Sequence, residues 1–236
     1  MAIARLSATT QTYTDSVYTL TVSHDAGTAA NRVLAMGAWD QGGPTYRITG
    51  LTFNAESATS IVHNFDHATL EYGCNELFLL GVGLDTGIHD IVLTRSSNDA
   101  NGMTMEGAVY EGASQSNTPD VYNSAKGTSV SSLTFDYTTT VAGCWAFSNG
   151  RTTGGSVSGG TNFTVFSGGS GGRAGDSNAS LGAAGAKTIQ CSYTTGNCTL
   201  TSMAIAPAAE TTTSTTTTTS SSTTTTTTSS STTTTT

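Results

Sequence analysis

Few segments of this sequence combine residue types at a spacing that supports covalent chemistry. Residues 168–172 (GGSGG) satisfy the Gly-x-Ser-x-Gly pattern of a hydrolase nucleophile, and His24-Asp25 and His89-Asp90 are adjacent pairs of the kind that activates one. A nucleophile elbow needs a strand, a sharp turn and a helix, which together strain and expose the serine. The GGSGG segment lies in a glycine run that no helix pattern follows, and the sequence assigns neither His-Asp pair a serine or cysteine partner. The sequence therefore predicts no catalytic residue and no enzyme, with both pairs at exposed strand ends.

Gly175-Asp176-Ser177 matches part of the nucleophile block of GDS-type esterases. In those enzymes the block follows the first strand of an α/β domain, and a histidine lies near the C-terminus. This chain has no α/β pattern, and its last histidine is His89. The match therefore carries no expectation of esterase activity.

Metal-binding residue types cluster at one place, where His63, Asp66 and His67 form an H-x-x-D-H motif. Histidines four residues apart converge on a helix, but along a strand they lie about 13 Å apart. A second possibility is Asn98–Gly102, whose side-chain oxygens resemble those of a structural calcium site. Asn, Asp and Gly also favour such turns for backbone reasons alone. We therefore expect surface loops at both places, with no metal and no other cofactor.

A glycan-binding platform would need exposed aromatic side chains on which sugar rings can stack. Aromatic residues make up 7% of the chain, and Trp145 lies in an apolar segment where we expect burial. Trp39 follows an apolar strand-like segment and precedes the polar residues 40–43. Trp39 is therefore the candidate for an exposed glycan contact, and the alternative is an ordinary strand end.

Two of the four cysteines, Cys191 and Cys198, flank the polar segment 192–197. This segment is typical of a turn between two strands, so the cysteines would face each other across a hairpin. They would form a disulfide in an oxidising setting and otherwise remain free thiols. A zinc site is not expected because no second close pair of Cys or His accompanies them. Cys74 and Cys144 lie in apolar segments and are expected to be buried free thiols.

The charge distribution argues against some classes of partner. The formal net charge is −8, and the 8 basic residues are scattered without a run or stripe. Nucleic-acid binding depends on clustered positive charge, so we expect no nucleic-acid partner. No apolar run reaches the length of a membrane span, and Met1–Thr10 lacks the apolar stretch of a secretory signal. We therefore expect no membrane association. The protein would leave the cell by a route such as lysis, would never leave it, or would have had a signal that was removed earlier.

Short apolar or alternating segments recur along residues 1–207, separated by Gly, Asn, Asp and Ser. They are rich in β-branched and aromatic residues, and Val17–Val22 alternates most clearly. The pattern predicts an all-β domain: a single antiparallel β-sandwich or jelly roll of about eleven or twelve short strands, with almost no helix. The glycine-rich residues 150–185 are expected to form long loops or a mobile sheet edge. Residues 208–236, rich in Thr and Ser, cannot bury apolar surface and are expected to form a disordered or extended tail.

Several segments, in their order along the chain, resemble those of a known family. Residues 48–54 (ITGLTFN) resemble a recurrent V-T-Y-N-G strand, residues 86–93 (TGIHDIVL) resemble T-G-T-H-x-V-V-V, and residues 108–119 (AVYEGASQSNTP) resemble S-Y-x-G-V-x-Q-x-x-P. These motifs are typical of a loosely defined, largely uncharacterised family of β-sandwich proteins encoded by tailed bacteriophages and by bacteria that secrete them. The resemblance covers residues 30–206. It implies a virion surface or accessory role, or an extracellular adhesive module, and brings no catalytic residues.

These features favour a structural protein displayed on an assembled particle, as a phage capsid decoration or fibre-type protein on the virion surface. Its partners would be other virion or filament proteins. It would act as a homo-oligomer, in which the weak contacts of many copies together give a high avidity. The Thr/Ser-rich tail would project outward and offers sites for O-glycosylation. Two alternatives remain open: an extracellular carbohydrate-binding module with a Thr/Ser linker that contacts surface glycans, or an O-glycosylated extracellular filament subunit.

Overall fold

A computed structural model describes residues 2–9, 12–14, 17–40, 48–65, 74–96, 102–167 and 170–209. Within these ranges the chain is all-β with antiparallel sheets, so the predicted fold class is confirmed. No helix in these ranges could cross a membrane. The strands outnumber the predicted eleven or twelve because short edge strands join the sheets. In chain order they are β1 (Ala4–Ala8), β2 (Thr12–Thr14), β3 (Thr19–Asp25), β4 (Val33–Asp40), β5 (Ile48–Phe53), β6 (Glu56–Ser57), β7 (Thr59–Phe65), β8 (Cys74–Leu80), β9 (Ile88–Arg95), β10 (Met103–Glu111), β11 (Tyr122–Thr139), β12 (Trp145–Ser158), β13 (Thr164–Val165), β14 (Ser170–Asp176) and β15 (Gly185–Ile205).

The central sheet has strand order β1-β10-β4-β8-β7, with β2 also paired to β10. Its middle strands β4 and β10 are buried along almost their whole length because other sheets cover both faces. Leu34, Met36 and Ala38 of β4 belong to the core on one face, and Val33 and Ala35 belong to the core on the other. A strand covered on two sides requires such a continuous buried run.

A second sheet, with strand order β3-β9-β5-β6, covers the first face of the central sheet. Strand β3 shows the alternation predicted for a half-buried strand, since Leu20 and His24 are buried while Thr19, Thr21 and Ser23 are exposed. The core between the two sheets contains, from the second sheet, Leu20, Ile48, Leu51, Phe53, Ile91 and Leu93.

The third sheet, with strand order β11-β15-β12-β14-β13, covers the other face of the central sheet. Phe147, Met203 and Ile205 of this sheet share one core with Val33 and Tyr110 of the central sheet. The molecule is therefore a stack of three sheets with the central sheet in the middle.

Long strands of the third sheet bend where their pairing shifts register, so the sheet folds over on itself. The β11–β15 pairing shifts at residues 127–132, and the β12–β14 pairing shifts at residues 151–156. The two layers then meet, and the Asn123 amide nitrogen donates to the Asp136 carbonyl at 3.0 Å. The core enclosed between these layers contains Leu133, Tyr137, Ile189, Cys191, Tyr193, Cys198 and Leu200.

The prediction of long loops across the glycine-rich residues 150–185 is wrong for much of that range. Strand β12 continues to Ser158, and β14 lies inside the sheet between β12 and β13, buried at residues 172–176. Glycine is needed at some of these positions because neighbouring layers come too close for a side chain. A Cβ atom at Gly172 would lie 2.5 Å from the Trp39 ring. Composition alone does not separate a glycine that turns the chain from one that lets two layers approach.

Candidate functional site

His24 has a serine partner that the sequence does not assign to it. The Ser7 hydroxyl lies 3.0 Å from His24 Nε2 and donates its proton to the Asp25 carbonyl at 3.0 Å. With the Ser7 proton on the Asp25 carbonyl, Nε2 is the donor to Ser7. A general base needs the opposite tautomer, with Nε2 accepting from the serine. In this arrangement the contact ties β1 to β3.

The buried His24 predicts a pH dependence of stability. Burial lowers the pKa of His24 below its ordinary value of 6.5, and Asp25 opposes this shift. The unfolded chain therefore binds a proton more readily than the folded chain, so stability is complete above pH 6.5 and falls as the pH drops below it. When the pH is lowered from 7.5 to 5.5, we expect the urea midpoint of the wild type to decrease by more than that of His24→Gln. Parallel curves for the two proteins would contradict this role.

Asp176 and Ser177, which match part of an esterase block, have structural partners. Arg5 Nη1 and the Tyr110 hydroxyl each donate to Asp176 Oδ2 at 2.9 Å, and the backbone N–H of Asn178 donates to Oδ1 at 2.8 Å. The Asp176 side chain is fully buried. The Ser177 hydroxyl donates to a backbone carbonyl two residues later at 2.5 Å. Both side chains thus hold the central sheet, the third sheet and the following turn together.

A second buried charged group crosses the same boundary between the central and third sheets. Glu106 of β10 accepts hydrogen bonds from the Ser167 hydroxyl at 2.5 Å and from the backbone N–H of Ala174 at 2.8 Å. Burial raises the pKa of Glu106, while burial lowers the pKa of Arg173 and Glu106 opposes that change. Arg173 is buried and donates to the Gly172 carbonyl at 2.6 Å. These contacts fix β14 against β10.

Cys191 and Cys198 do not face each other across a hairpin, so that prediction is wrong. Strand β15 continues through the segment between them and changes layers near residues 193–196. Both residues belong to the core enclosed by the folded third sheet, where they are free thiols beside Tyr193. Burial raises the pKa of Cys191 to about 12, and Cys198 adds to the rise. A disulfide between them in an oxidising setting stays a prediction, but the hairpin geometry that favoured it does not occur in β15.

Most of the candidate metal ligands lie outside the described residues. This applies to Asp66, His67, residues 97–101 and the side chain of His63. Within the part of the chain that the structure describes, no three His, Cys, Asp or Glu side chains come together as a metal site would require. The expectations for the H-x-x-D-H motif and the calcium-like turn therefore stay predictions.

The burial of both tryptophans differs from what the sequence predicts. Trp39 is fully buried, because β4 lies in the central sheet and Gly172 of the third sheet covers its ring. It has no exposed face for a sugar, so its predicted role as a glycan contact is wrong. Trp145, expected to be buried, is only partly buried at the first position of β12 and packs against the core shared by the central and third sheets.

Trp145 lines a cleft of about 520 Å³ at the end of the molecule where the described chain begins and ends. Ala2 and Ile3 form one wall, and Pro207 and Ala208 form another. The remaining lining residues are Ala142, Gly143 and Ser180. We refer to this space as the Trp145 cleft and to this end of the molecule as the terminal pole.

Hydrogen bonds and ring contacts hold the walls of the Trp145 cleft in place. The backbone N–H of Gly143 donates to the Gly182 carbonyl at 2.8 Å, and that of Leu181 donates to the Cys144 carbonyl at 2.7 Å. Tyr110 meets the Trp145 ring edge-on, with ring centroids 6.0 Å apart. Burial and Asp176 raise the pKa of Tyr110, so its hydroxyl keeps the proton that it donates to Asp176. The cleft is therefore preformed in the folded protein.

A second cleft of about 470 Å³ lies across the turn at residues 140–143 from the first. It is lined by hydroxyl, amide and carboxylate groups that include Ser116, Asn117, Asp120 and Thr140. Asp120 accepts hydrogen bonds from the Thr140 hydroxyl and, at 2.7 Å, from the Thr140 backbone N–H. The carboxylate thus fixes the turn that separates the two clefts.

The candidate site is this pair of clefts, one apolar around Trp145 and one polar around Asp120. Sequence reasoning misses it because its residues come from five separate segments of the chain. The resemblance to the phage-encoded β-sandwich family stays a prediction. Comparison of the chain with protein-family models, curated proteins and solved structures yields no match.

Proposed function

We propose that this protein is a non-enzymatic display protein on an assembled particle, such as a virion or an extracellular filament. The observation that carries the proposal is the joint between body and tail at the terminal pole. The backbone N–H of Ala208 donates to the Gly112 carbonyl at 2.7 Å, and Pro207 forms a β-bridge with Ala113. The chain is thus fixed to the body as far as Ala208, three residues before Thr211–Thr236, a segment of threonine and serine alone.

The body has the properties of a rigid support. Three stacked sheets enclose continuous cores, and buried charged groups join the central sheet to the third sheet. A tail without apolar side chains gains nothing from packing against such a body. In this proposal the terminal pole faces away from the particle and presents the hydroxyl-rich tail. The remaining surface of the body makes the weak, repeated contacts that hold many copies on the particle.

The orientation can be tested by placing one reactive thiol at the end of the tail. A Thr236→Cys variant that also contains Cys74→Ser would be produced together with the particles that are proposed to display it. The preparation would be treated with maleimide-biotin at pH 7.5 and then sedimented. We expect biotin on the sedimenting particles. The three remaining thiols should contribute little, because burial raises the pKa of Cys144 and Cys191 to about 12 and also raises the pKa of Cys198, which leaves little thiolate.

The Cys74→Ser protein without the added cysteine is the matched control and should stay unlabelled until guanidinium exposes the core. A protein found entirely in the soluble fraction would refute attachment to a particle. A protein that sediments but takes up label only after the particle is disrupted would refute the outward orientation of the terminal pole.

A further inference from the structure

We propose that the Trp145 cleft binds a neutral saccharide, with the exposed part of the Trp145 ring against a sugar face. The proposal rests on the proposed function in one respect, which is that the terminal pole faces outward and can meet a glycan-bearing surface. The binding itself is a property of the isolated protein and is testable without a particle.

Trp145 is only partly buried. A large aromatic ring left partly open to solvent is more informative than a buried one, since burial is what its apolar surface favours. The chain has two tryptophans, and the ring of Trp39 is fully covered. Trp145 instead faces a cleft of about 520 Å³, a size that holds small organic ligands.

Ring contacts and hydrogen bonds hold the walls of the Trp145 cleft in place. The Trp145 ring contacts Tyr110, whose hydroxyl is bonded to the fully buried Asp176. Two backbone hydrogen bonds join the 140–143 turn and Cys144 to the loop at residues 181–182. A site whose walls are already in place loses little conformational freedom on binding, which favours a weakly held ligand such as a sugar.

The charge of the site decides the class of saccharide. Among the residues that the structure describes, the eight that line the Trp145 cleft have no ionisable side chain. The adjoining polar cleft contains the carboxylate of Asp120, and the chain has a formal net charge of −8. Sialylated or sulfated glycans would therefore meet no cation among the described lining residues of either cleft, and the net negative charge of the protein would repel them. A neutral ligand has no such cost.

The polar cleft across the turn provides partners for sugar hydroxyls. Ser116 and Asn117 line it with groups that both donate and accept hydrogen bonds, and the Thr140 hydroxyl, which donates to Asp120, can still accept one. Ser180 adds a hydroxyl inside the Trp145 cleft. An oligosaccharide that crosses the 140–143 turn would place apolar sugar faces on one side and hydroxyls on the other. A ligand without hydrogen-bonding groups would gain nothing from these polar side chains.

Two measurements on the full-length protein test the proposal. The first is binding to an array of neutral gluco-, manno-, galacto- and N-acetylglucosamine-based oligosaccharides, with sialylated and sulfated glycans alongside. The second is acrylamide quenching of tryptophan fluorescence, which reports Trp145 because Trp39 is buried. We expect at least one neutral oligosaccharide to bind and to protect Trp145 from quenching. Trp145→Ala should weaken that binding about tenfold or more, corresponding to the loss of one aromatic contact of about 1.4 kcal/mol.

Tyr18→Ala is the matched control, because it removes an exposed aromatic side chain from the second-sheet side of the molecule and should leave binding unchanged. Trp145→Phe keeps a ring in place and guards against misfolding of the alanine variant; it should retain more affinity than alanine. The proposal is overturned if no neutral oligosaccharide binds, if binding is confined to charged glycans, or if the alanine variant binds equally well. If no saccharide binds but Trp145→Ala still sediments with particles, the saccharide proposal fails and the display function stands.

Discussion

Replacing Asp176 with alanine should lower the free energy of unfolding by about 3–5 kcal/mol, the loss expected when one partner of a buried ion pair is removed. The Asp176 side chain is fully buried, whereas 31% of the Arg5 side chain is exposed. The substitution leaves the Tyr110 hydroxyl and the backbone N–H of Asn178 without their acceptor. Chemical denaturation at pH 7.5, followed by far-ultraviolet circular dichroism, measures the change.

Asp136→Ala is the matched control, because Asp136 is exposed and bonded to the Thr188 hydroxyl at 2.7 Å. It should change stability by no more than about 0.5 kcal/mol. Asp176→Asn should fall between the two alanine variants, since the amide keeps the shape and one acceptor oxygen but loses the charge. Equal losses for Asp176→Ala and Asp136→Ala would show that the buried network contributes no more than a surface contact.

The same substitution connects the core to the candidate site. Asp176 holds Tyr110, and Tyr110 supports the ring of Trp145. In the folded fraction of Asp176→Asn, the weaker hold on Tyr110 should let the Trp145 ring move. Acrylamide should therefore quench its fluorescence more strongly than in the wild type. The stability of the core and the shape of the cleft thus depend on one carboxylate.

Local patterns in the sequence were sufficient for the fold class and for several strands. The alternation of β3 and the continuous apolar run of β4 follow directly from whether one or both faces of a strand are covered. The folded third sheet was not predictable in this way. Residues 192–197 are polar and contain glycine and asparagine, and these residue types suit a hairpin turn and a bend within a long strand equally well. The pairing of β15 with β11 and β12, which are distant in the chain, decides between a hairpin turn and a bend within one strand.

The candidate site failed to appear in the sequence for a similar reason. Whether a tryptophan is covered depends on residues far from it, as Gly172 covers Trp39. One local signal did point to Trp145. Gly143, with a φ of +82°, ends the preceding turn, so Trp145 is placed at the start of a strand and at the end of the sheet. A residue in that position is less completely covered than one in the middle of a strand.

Gly172→Ala should destabilise the protein by about 3 kcal/mol, at the upper end of the usual cost of overpacking a core. The added Cβ would lie 2.5 Å from one atom of the Trp39 ring and 2.8 Å from two others, closer than packed atoms approach. The ring cannot move aside easily, because Trp39 is fully buried in the central sheet. Chemical denaturation measures the loss. In a Trp145→Phe background, where Trp39 is the sole tryptophan, acrylamide quenching should also rise as the ring is displaced.

Gly50→Ala provides the matched control for this prediction. Gly50 also lies in a strand, its φ is not positive, and a Cβ there meets nothing within 4 Å. Alanine at this position should be neutral or should stabilise the protein by about 0.5–1 kcal/mol, because it reduces the freedom of the unfolded chain. Equal stability of Gly172→Ala and Gly50→Ala would mean that Gly172 is free to accept a side chain. The close approach of the central and third sheets would then not be the reason for glycine in this part of the sequence.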